Sequence, residues 1–368
     1  MNTRPTQSRQ PSISQIDVIV IGGGQSGLAM GYFLRRTGLQ FVILDEQNQP
    51  GGAWQHGWNS LRLFSPADAS SLPGWPMPRP AATTAGFPDR NWVIDYLTQY
   101  ESKYQLPIVR PVCVERITYD GQVYLVQTAS GDYQARAVVN ATGSWSQPYI
   151  PDYPERSAYT GLQLHSAQYR KPRPLAGLRT LIVGGGNSGA QILAEVSQLT
   201  QTRWVTEQEP TFLPDDVYGR ILFQRATERY HQGTTGVPAR SLGDIVMVPS
   251  VQDARSRGIL TSVRPFVRMT PTGVVWTDGR EEPFDAVIWC TGFRPATGYL
   301  QPLGILEASG KVRTQETQVQ GMPGLWMVGY GSWTGFASAT LIGVGRTART
   351  TADQISRFLA PNEPLSTT

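Results

Sequence analysis

The sequence is poor in cysteine and in long apolar runs, and each shortage excludes a class of function. Two cysteines among 368 residues, Cys113 and Cys290, cannot form a metal cluster or a redox pair, since neither has a neighbouring cysteine. We expect both thiols to be buried rather than reactive, and their scarcity fits the cytoplasm. No apolar run reaches about 18 residues, so we expect no membrane span.

Charge and histidine are also sparse. The 32 Lys and Arg against 28 Asp and Glu leave a net charge of +4, without a run of one sign, so a nucleic-acid partner is not indicated. Two of the three histidines, His56 and His231, have no partner pattern, and we predict structural or surface roles for them. Residues 1–15 are polar and contain two prolines, which predicts a disordered tail.

The first structured segment has the pattern of a βαβ unit with glycines at its first turn. A near-continuous β-branched run at 16–21 predicts a buried strand, "GGGQSG" follows at 22–27, and 28–36 is typical of a helix. A second strand ends at Asp45. In this context the amides of the helix N-terminus suit a dinucleotide pyrophosphate, and Asp45 can accept from the adenosine ribose hydroxyls.

The same unit recurs later in the chain. "RTLIVGGGNSGAQILAEVSQL" repeats strand, glycine turn and helix, and "TRWVTE" is the next strand. Asp45 and Glu207 each lie 18 residues beyond the last glycine of their motif. The alternative is a pair of packing turns that bind nothing, but two full matches favour two dinucleotide sites. A bound flavin and a nicotinamide donor are the obvious pair.

The motifs as a set resemble those of flavin-containing monooxygenases. "GGGQSG", "GGAW" at 51–54, "ATG" at 141–143, "GGGNSG" and "CTGF" at 290–293 stand in the family's order. The stretch "YTGLQLHSAQY" at 159–169 is similar to the family's F-x-G-x-x-x-H-x-x-x-[YF] fingerprint, with Tyr159 in place of Phe. Tyr169 stands where Baeyer–Villiger monooxygenases carry Trp. The resemblance spans about residues 16 to 355 and is closest to the small soluble bacterial type found in some arsenic operons.

The resemblance implies an α/β fold with two Rossmann-like dinucleotide-binding domains. We expect an NAD(P)H-binding domain at 156–285, inserted into an FAD-binding domain at 16–155 and 286–368. The cofactors implied are FAD with NADPH or NADH, and the co-substrate is O2. One oxygen atom would pass through a flavin C4a-hydroperoxide to a small-molecule soft nucleophile such as a sulfide or an amine. Small ketones are possible further substrates. The chain could also form a homodimer.

Carrying the motifs over gives a set of candidate residues. Phe64, His165 and Tyr169 are the catalytic candidates, although His165 suits a structural connection between the two domains better than a proton carrier. The cofactor-binding candidates are Gly22, Gly24, Gln25, Ser26, Gly27, Asp45, Glu46, Gly52, Trp54, Ala141, Thr142, Gly143, Gly184, Gly186, Asn187, Ser188, Gly189, Thr206, Glu207, Thr291 and Gly292.

Two departures from the family pattern bear on chemistry. Phe64 stands where larger members have an Asn near the flavin, so we expect Phe64 close to the flavin. Strict NADPH users place Arg or Lys after the second domain's second strand, whereas this chain has Thr206-Glu207-Gln208. A carboxylate repels a 2′-phosphate, which predicts that NADH is tolerated or preferred. In the alternative, Glu207 faces solvent and an arginine elsewhere meets the phosphate.

Three other functions share these folds. A flavin disulfide reductase needs a cysteine pair that the chain lacks, whereas an NAD(P)H:flavin oxidoreductase or oxidase and a non-catalytic redox sensor stay open. Substrate-pocket residues are expected from the proline-rich loop at 66–88 and from 213–250.

Overall fold

The computed structural model describes residues 14–80, 87–217 and 244–360, in which parallel sheets are packed by helices. The helices are α1 (Gln25–Leu34), α2 (Arg90–Tyr104), α3 (Asn187–Val196), α4 (Pro249–Ser256) and α5 (Val344–Leu359). The strands are β1 (Ser14–Ile21), β2 (Phe41–Leu44), β3 (Ile108–Val109), β4 (Val114–Tyr119), β5 (Tyr124–Thr128), β6 (Tyr133–Asn140), β7 (Leu162–His165), β8 (Thr180–Val183), β9 (Thr202–Val205), β10 (Ser262–Val263), β11 (Arg268–Thr270), β12 (Gly273–Val275), β13 (Glu281–Pro283), β14 (Ala286–Trp289), β15 (Thr314–Gln315), β16 (Gln318–Val319) and β17 (Leu325–Met327).

The first domain is built on a parallel sheet in the order β17-β6-β1-β2-β3. The antiparallel pair β4–β5 joins it through β6, and β15 and β16 extend its other edge. Strand β1 is buried on both faces, with Val18, Ile19 and Val20 fully inaccessible, as the continuous β-branched run predicts. Helix α1 starts three residues earlier than predicted because the glycine motif itself forms the first helical turn.

The second domain repeats this topology in the parallel order β7-β14-β8-β9-β10. Its helix α3 follows β8 as α1 follows β1. Strand β14 starts at residue 286, where we expected the first domain to resume, but it pairs with β7 and β8. The second domain therefore includes β14, and the boundary lies after Trp289 rather than before it. The two Rossmann-like domains predicted from the sequence are confirmed.

A short loop of the first domain packs on the second. Trp58, and with it Leu61 and Phe64, contacts the apolar core formed by α3 and its sheet. The Trp58 ring lies edge-on to Tyr169 at 6.4 Å, and the Asn59 amide donates to the Arg170 carbonyl at 2.9 Å. Residues 57–64, called here the junction loop, therefore tie the two domains together.

The described part of the proline-rich loop, residues 66–80, packs against α2. Asp89 caps the helix by accepting from the Trp92 amide, and Tyr96 and Tyr100 on this helix are buried in the core. Their hydroxyls donate to carbonyls of the loop at 2.7 Å. No helix of the described residues is long and apolar enough to cross a membrane.

Candidate functional site

A cavity of about 810 Å³ lies over the carboxyl ends of β1, β2 and β6. This is the edge at which open parallel sheets bind their ligands. The predicted residues that line it are Gly22, Gly24, Gln25, Ser26, Asp45, Glu46, Gly52, Trp54, Ala141, Thr142 and Gly143. The structure therefore brings together motifs that are more than 100 residues apart in the sequence.

The first and third glycines of each motif are required by close backbone contacts. Gly22 and Gly184 have φ of +106° and +130°, and a side chain there would meet the backbone of Ala141 or Cys290. At the third position, Gly27 and Gly189, a Cβ would clash with the carbonyl oxygen of the first glycine. Four of the six glycines are therefore required by packing alone, with or without a ligand.

Packing does not require a glycine at the second position of each motif. Gly24 and Gly186 are the N-caps of α1 and α3, with extended backbone that any residue adopts. A Cβ on Gly24 would meet only the Gly52 Cα, at 3.8 Å, and a Cβ on Gly186 would have no described atom within 4 Å. Open space above a helix N-terminus is what a phosphate group requires. This observation argues against turns that serve packing alone.

Asp45 is held by a buried ion-pair network. The Arg110 guanidinium donates to Asp45 Oδ2 at 2.6 Å and to Glu101 Oε1 at 2.7 Å. The side chains of Arg110 and Asp45 are only 11% and 5% exposed. Oδ2 accepts from Arg110 and Oδ1 accepts from the Gln47 amide at 3.4 Å, so each oxygen of Asp45 keeps one acceptor site for a ribose hydroxyl.

Three loops meet through Gln25 at the first turn of α1. Its side-chain amide donates to the Ala339 carbonyl at 2.6 Å and its oxygen accepts from the Trp54 indole at 3.2 Å. The "GGAW" loop is thereby fixed against the glycine turn. Gly52 must be glycine because a side chain there would meet the Gly24 Cα.

A chain of buried hydroxyls lies beneath the "ATG" motif. Thr142 Oγ1 lies 2.7 Å from the Tyr330 hydroxyl, and the Tyr299 hydroxyl donates to Asn140 Oδ1 at 2.9 Å. Burial raises the pKa of Tyr330 to about 12 and also raises the pKa of Tyr299 well above its usual value. Both phenols therefore stay protonated and neutral across the physiological range.

An aromatic wall closes one side of the cavity. His56 stacks on Trp145 with ring centroids 6.1 Å apart, and Trp145 stacks on Phe293 at 5.1 Å. All three line the cavity, so the structural or surface role predicted for His56 is incomplete. Burial, and then the charges of Arg170 and Arg90, lower the pKa of His56, so the ring is neutral at pH 7. No sequence motif marks His56, because the wall is assembled by three separate loops.

The second glycine turn faces a different set of groups. Asn187 binds segment 244–246, accepting from the Val246 amide at 2.9 Å and donating to the Asp244 carbonyl at 3.1 Å. Thr206 is buried beside Gly185, whereas Glu207 is exposed. Ser188 lies half-buried in the first turn of α3.

Strand register corrects the predicted equivalence of Asp45 and Glu207. The Gly22 amide donates to the Leu44 carbonyl at 2.7 Å, and in the second domain the Gly184 amide donates to Val205 at 2.8 Å. Leu44 and Val205 are therefore equivalent, and each is followed by a residue at the strand end: Asp45 in one domain, Thr206 in the other. The link from α3 to β9 is one residue shorter than that from α1 to β2. Counting 18 residues from the last glycine of each motif therefore aligned Glu207, instead of Thr206, with Asp45.

Comparison with known proteins agrees with this geometry. The chain matches the pyridine nucleotide-disulphide oxidoreductase family over residues 19–233. It superposes on a flavin-containing monooxygenase from Stenotrophomonas maltophilia with a TM-score of 0.87 and 51% identity, covering 95% of this chain and 100% of the other. The chain belongs to the flavin-containing monooxygenase family.

Other relatives are more distant. An uncharacterised oxidoreductase of Geobacillus kaustophilus is 30% identical over 90% of this chain and 96% of its own. The indole-3-pyruvate monooxygenase YUCCA1 of Oryza sativa subsp. japonica is 25% identical over 96% of this chain and 95% of its own. As a flavin-containing monooxygenase the chain is an oxidoreductase, and membership implies FAD and NADPH. The open space at Gly24 and the neutral hydroxyls at the "ATG" motif, both on the same cavity, fit a flavin dinucleotide.

The family fingerprint at 159–169 has a structural role in this flavin-containing monooxygenase. His165 is 1% exposed; its Nδ1 accepts from the Ala167 amide at 3.1 Å, so Nε2 carries the proton and donates to the Gly292 carbonyl at 3.0 Å. Both ring nitrogens are thus engaged by backbone, and burial lowers the pKa of His165. The structure favours the connecting role that we preferred over proton transfer.

Tyr169 and Phe64 also lie away from the cavity wall. The buried Tyr169 hydroxyl donates to Glu195 Oε2 at 2.8 Å, and the other oxygen of Glu195 accepts from Ser60 in the junction loop. Phe64 packs against the second domain's core and is not among the cavity-lining residues. Neither side chain lines the cavity of the first domain, and the catalytic role of each stays a prediction.

The remaining predicted residues have mixed outcomes. Thr291 and Gly292 bond to the linker at Tyr149 rather than line the cavity. Cys290 is half-buried, but Cys113 is exposed, so the expectation of two buried thiols is wrong for Cys113. Residues 1–13, His231 and most of the predicted pocket segment (218–243) lie outside the described residues, as do 81–86.

Proposed function

We propose that the first site holds FAD, that the second receives NADPH or NADH, and that the enzyme transfers one oxygen atom from O2 to a soft nucleophile such as a sulfide or an amine. One observation carries this proposal. The chain contains two glycine turns in which a Cβ on the second glycine, at a helix N-terminus, would clash with no described atom, and its sequence is 51% identical to that of a flavin-containing monooxygenase. Such a pair accommodates two dinucleotides, as electron transfer between them requires.

When bound, the flavin would supply the electron relay and activate oxygen as a C4a-hydroperoxide. The chain's own residues would bind and orient the flavin dinucleotide and shield it from water. The amides at the start of α1 hold the pyrophosphate, and Asp45 accepts from the ribose. The aromatic wall of His56, Trp145 and Phe293 lines one side of the cavity and would shield a bound flavin from water there, which limits loss of oxidising equivalents as hydrogen peroxide.

The disulfide reductase alternative is disfavoured by the positions of the two thiols. Both cysteines are free, and only Cys113 lines the cavity. Burial raises the pKa of the Cys290 thiol to about 12, so it is not a thiolate at neutral pH. Neither cysteine has a partner with which to exchange a disulfide.

Rapid mixing distinguishes the proposal from an oxidase or a redox sensor. The purified holoprotein is reduced anaerobically with NADPH or with NADH and mixed with oxygenated buffer, and its absorbance is followed. We expect a transient band before the oxidised-flavin spectrum returns. Direct return to oxidised flavin with stoichiometric hydrogen peroxide would favour an oxidase, and no reduction by either donor would favour a sensor.

A further inference from the structure

The two domains carry equivalent arginines at equivalent strand ends. In each sheet one more strand pairs with the second strand of the βαβ unit: β3 pairs with β2, and β10 pairs with β9. Each of these strands is followed immediately by an arginine, Arg110 after β3 and Arg264 after β10. Each guanidinium reaches the residue at the end of the neighbouring strand. Arg110 Nε donates to Asp45 Oδ2 at 2.6 Å, and Arg264 Nη1 donates to Thr206 Oγ1 at 3.1 Å. The sites differ in which residue meets the arginine.

In the first domain the positive charge of the arginine is neutralised by two carboxylates. Arg110 lies between the carboxylates of Asp45 and Glu101, and all three side chains are less than a fifth exposed. A phosphate on the adjacent ribose would meet the negative charge of Asp45. The first site therefore suits a dinucleotide with free ribose hydroxyls, as in FAD.

In the second domain the equivalent arginine is held by neutral groups and left accessible. Arg264 donates to the carbonyl and hydroxyl of Thr206 and, through Nη2, to Ser262 Oγ at 3.0 Å. Its acidic partner is Glu209, at 2.7 Å. Arg264 is 43% and Glu209 77% exposed, so this pair contributes little stability and can be replaced by another anion.

We propose that Arg264 binds the 2′-phosphate of the nicotinamide donor and that Thr206, in place of an acid, permits this. The inference rests on the proposed NAD(P)H site. Glu209 occupies the guanidinium in the free protein and is displaced by the phosphate. The nearby Glu207 is exposed and equivalent to Glu46, so it lies one residue beyond the strand end that meets the arginine. The sequence left open an alternative in which Glu207 faces solvent and an arginine elsewhere meets the phosphate. Arg264 is that arginine in this proposal.

Three variants test the assignment in steady-state oxidation of both donors by holoenzyme. Arg264→Gln should lower the kcat/KM ratio of NADPH to NADH by at least about tenfold, since it removes a charge-assisted hydrogen bond. Thr206→Asp, which copies the first site, should lower it comparably. Glu209→Gln should raise it by up to about fivefold. Arg203→Gln is the control, because Arg203 is also 43% exposed and forms an ion pair, with Glu282, at the second sheet.

Equilibrium binding gives a readout that does not depend on turnover. Titration calorimetry with adenosine 2′,5′-bisphosphate and with AMP should show that Arg264→Gln weakens the first at least about tenfold and leaves the second unchanged. If the donors reduce wild-type flavin but every variant keeps the wild-type ratio, the Arg264 assignment is wrong and the proposed function stands. If neither donor reduces the flavin and neither nucleotide binds, the NAD(P)H site itself is wrong.

Discussion

Gly24→Val should abolish flavin binding without unfolding the protein. The Gly24 backbone is extended, at φ −77° and ψ −171°, so a β-branched residue is not strained there. The nearest atom to a new Cβ is the Gly52 Cα at 3.8 Å, an ordinary contact. The side chain would instead project over the N-terminus of α1, where the pyrophosphate is expected.

The magnitude follows from the hydrogen bonds that the side chain would displace. A hydrogen bond to a charged group contributes about 1.5–3 kcal/mol, so losing two amide–phosphate bonds costs about 3–6 kcal/mol. That corresponds to an affinity for FAD about 10² to 10⁴ times weaker. The flavin-to-protein absorbance ratio after gel filtration measures retention, and circular dichroism measures folding.

Gly186→Val is the matched control, because Gly186 is the N-cap of α3 with the same extended conformation. It should keep full flavin content and lose reduction by NADPH and NADH. A folded Gly24→Val protein that stays yellow would refute the assignment of the first site. Loss of flavin from Gly186→Val alone would mean that the two sites are reversed.

Three further outcomes are expected. Gly27→Ala should lower the melting temperature sharply in both apoprotein and holoprotein, because its Cβ would clash with the carbonyl of the motif's first glycine; a normal apoprotein melt would contradict the packing argument. Tyr169→Phe should lower the free energy of unfolding by about 1–2 kcal/mol in urea titrations with flavin content unchanged, since it removes the bond to Glu195; a selective loss of turnover would restore a catalytic role. Burial lowers the pKa of His165, so below pH about 6.5 the unfolded chain binds more protons than the folded one. The free energy of unfolding should therefore decrease as the pH is lowered. In a His56→Gln background, His165→Gln should flatten that decline; an unchanged slope would exclude His165 as its source.

Much of the fold was predictable because its signals are local. The β-branched runs and the glycine turns each act over a few residues, and they give two βαβ units in the right places. The cavity-lining glycines and Asp45 follow from the same pattern, since the carboxyl ends of parallel strands meet at one edge of the sheet.

The errors concern relations between distant segments. Counting residues aligned Glu207 with Asp45, but hydrogen bonding across strands aligns Thr206 with Asp45. Arg264 lies 58 residues beyond Thr206 and reaches it only because β10 pairs with β9. His56 and Trp145 likewise meet only after folding. Pairing register and loop packing are not encoded in residue spacing, so no motif indicated these contacts.

Isotope labelling tests the proposed monooxygenase reaction most directly. Holoenzyme is supplied with NADPH, methyl phenyl sulfide and ¹⁸O2, and the product is analysed by mass spectrometry alongside NADPH consumption and hydrogen peroxide. The account predicts sulfoxide carrying one ¹⁸O atom, with up to one product molecule per NADPH oxidised. Unlabelled product, or NADPH oxidation that yields only hydrogen peroxide for this sulfide and for an amine, would contradict it.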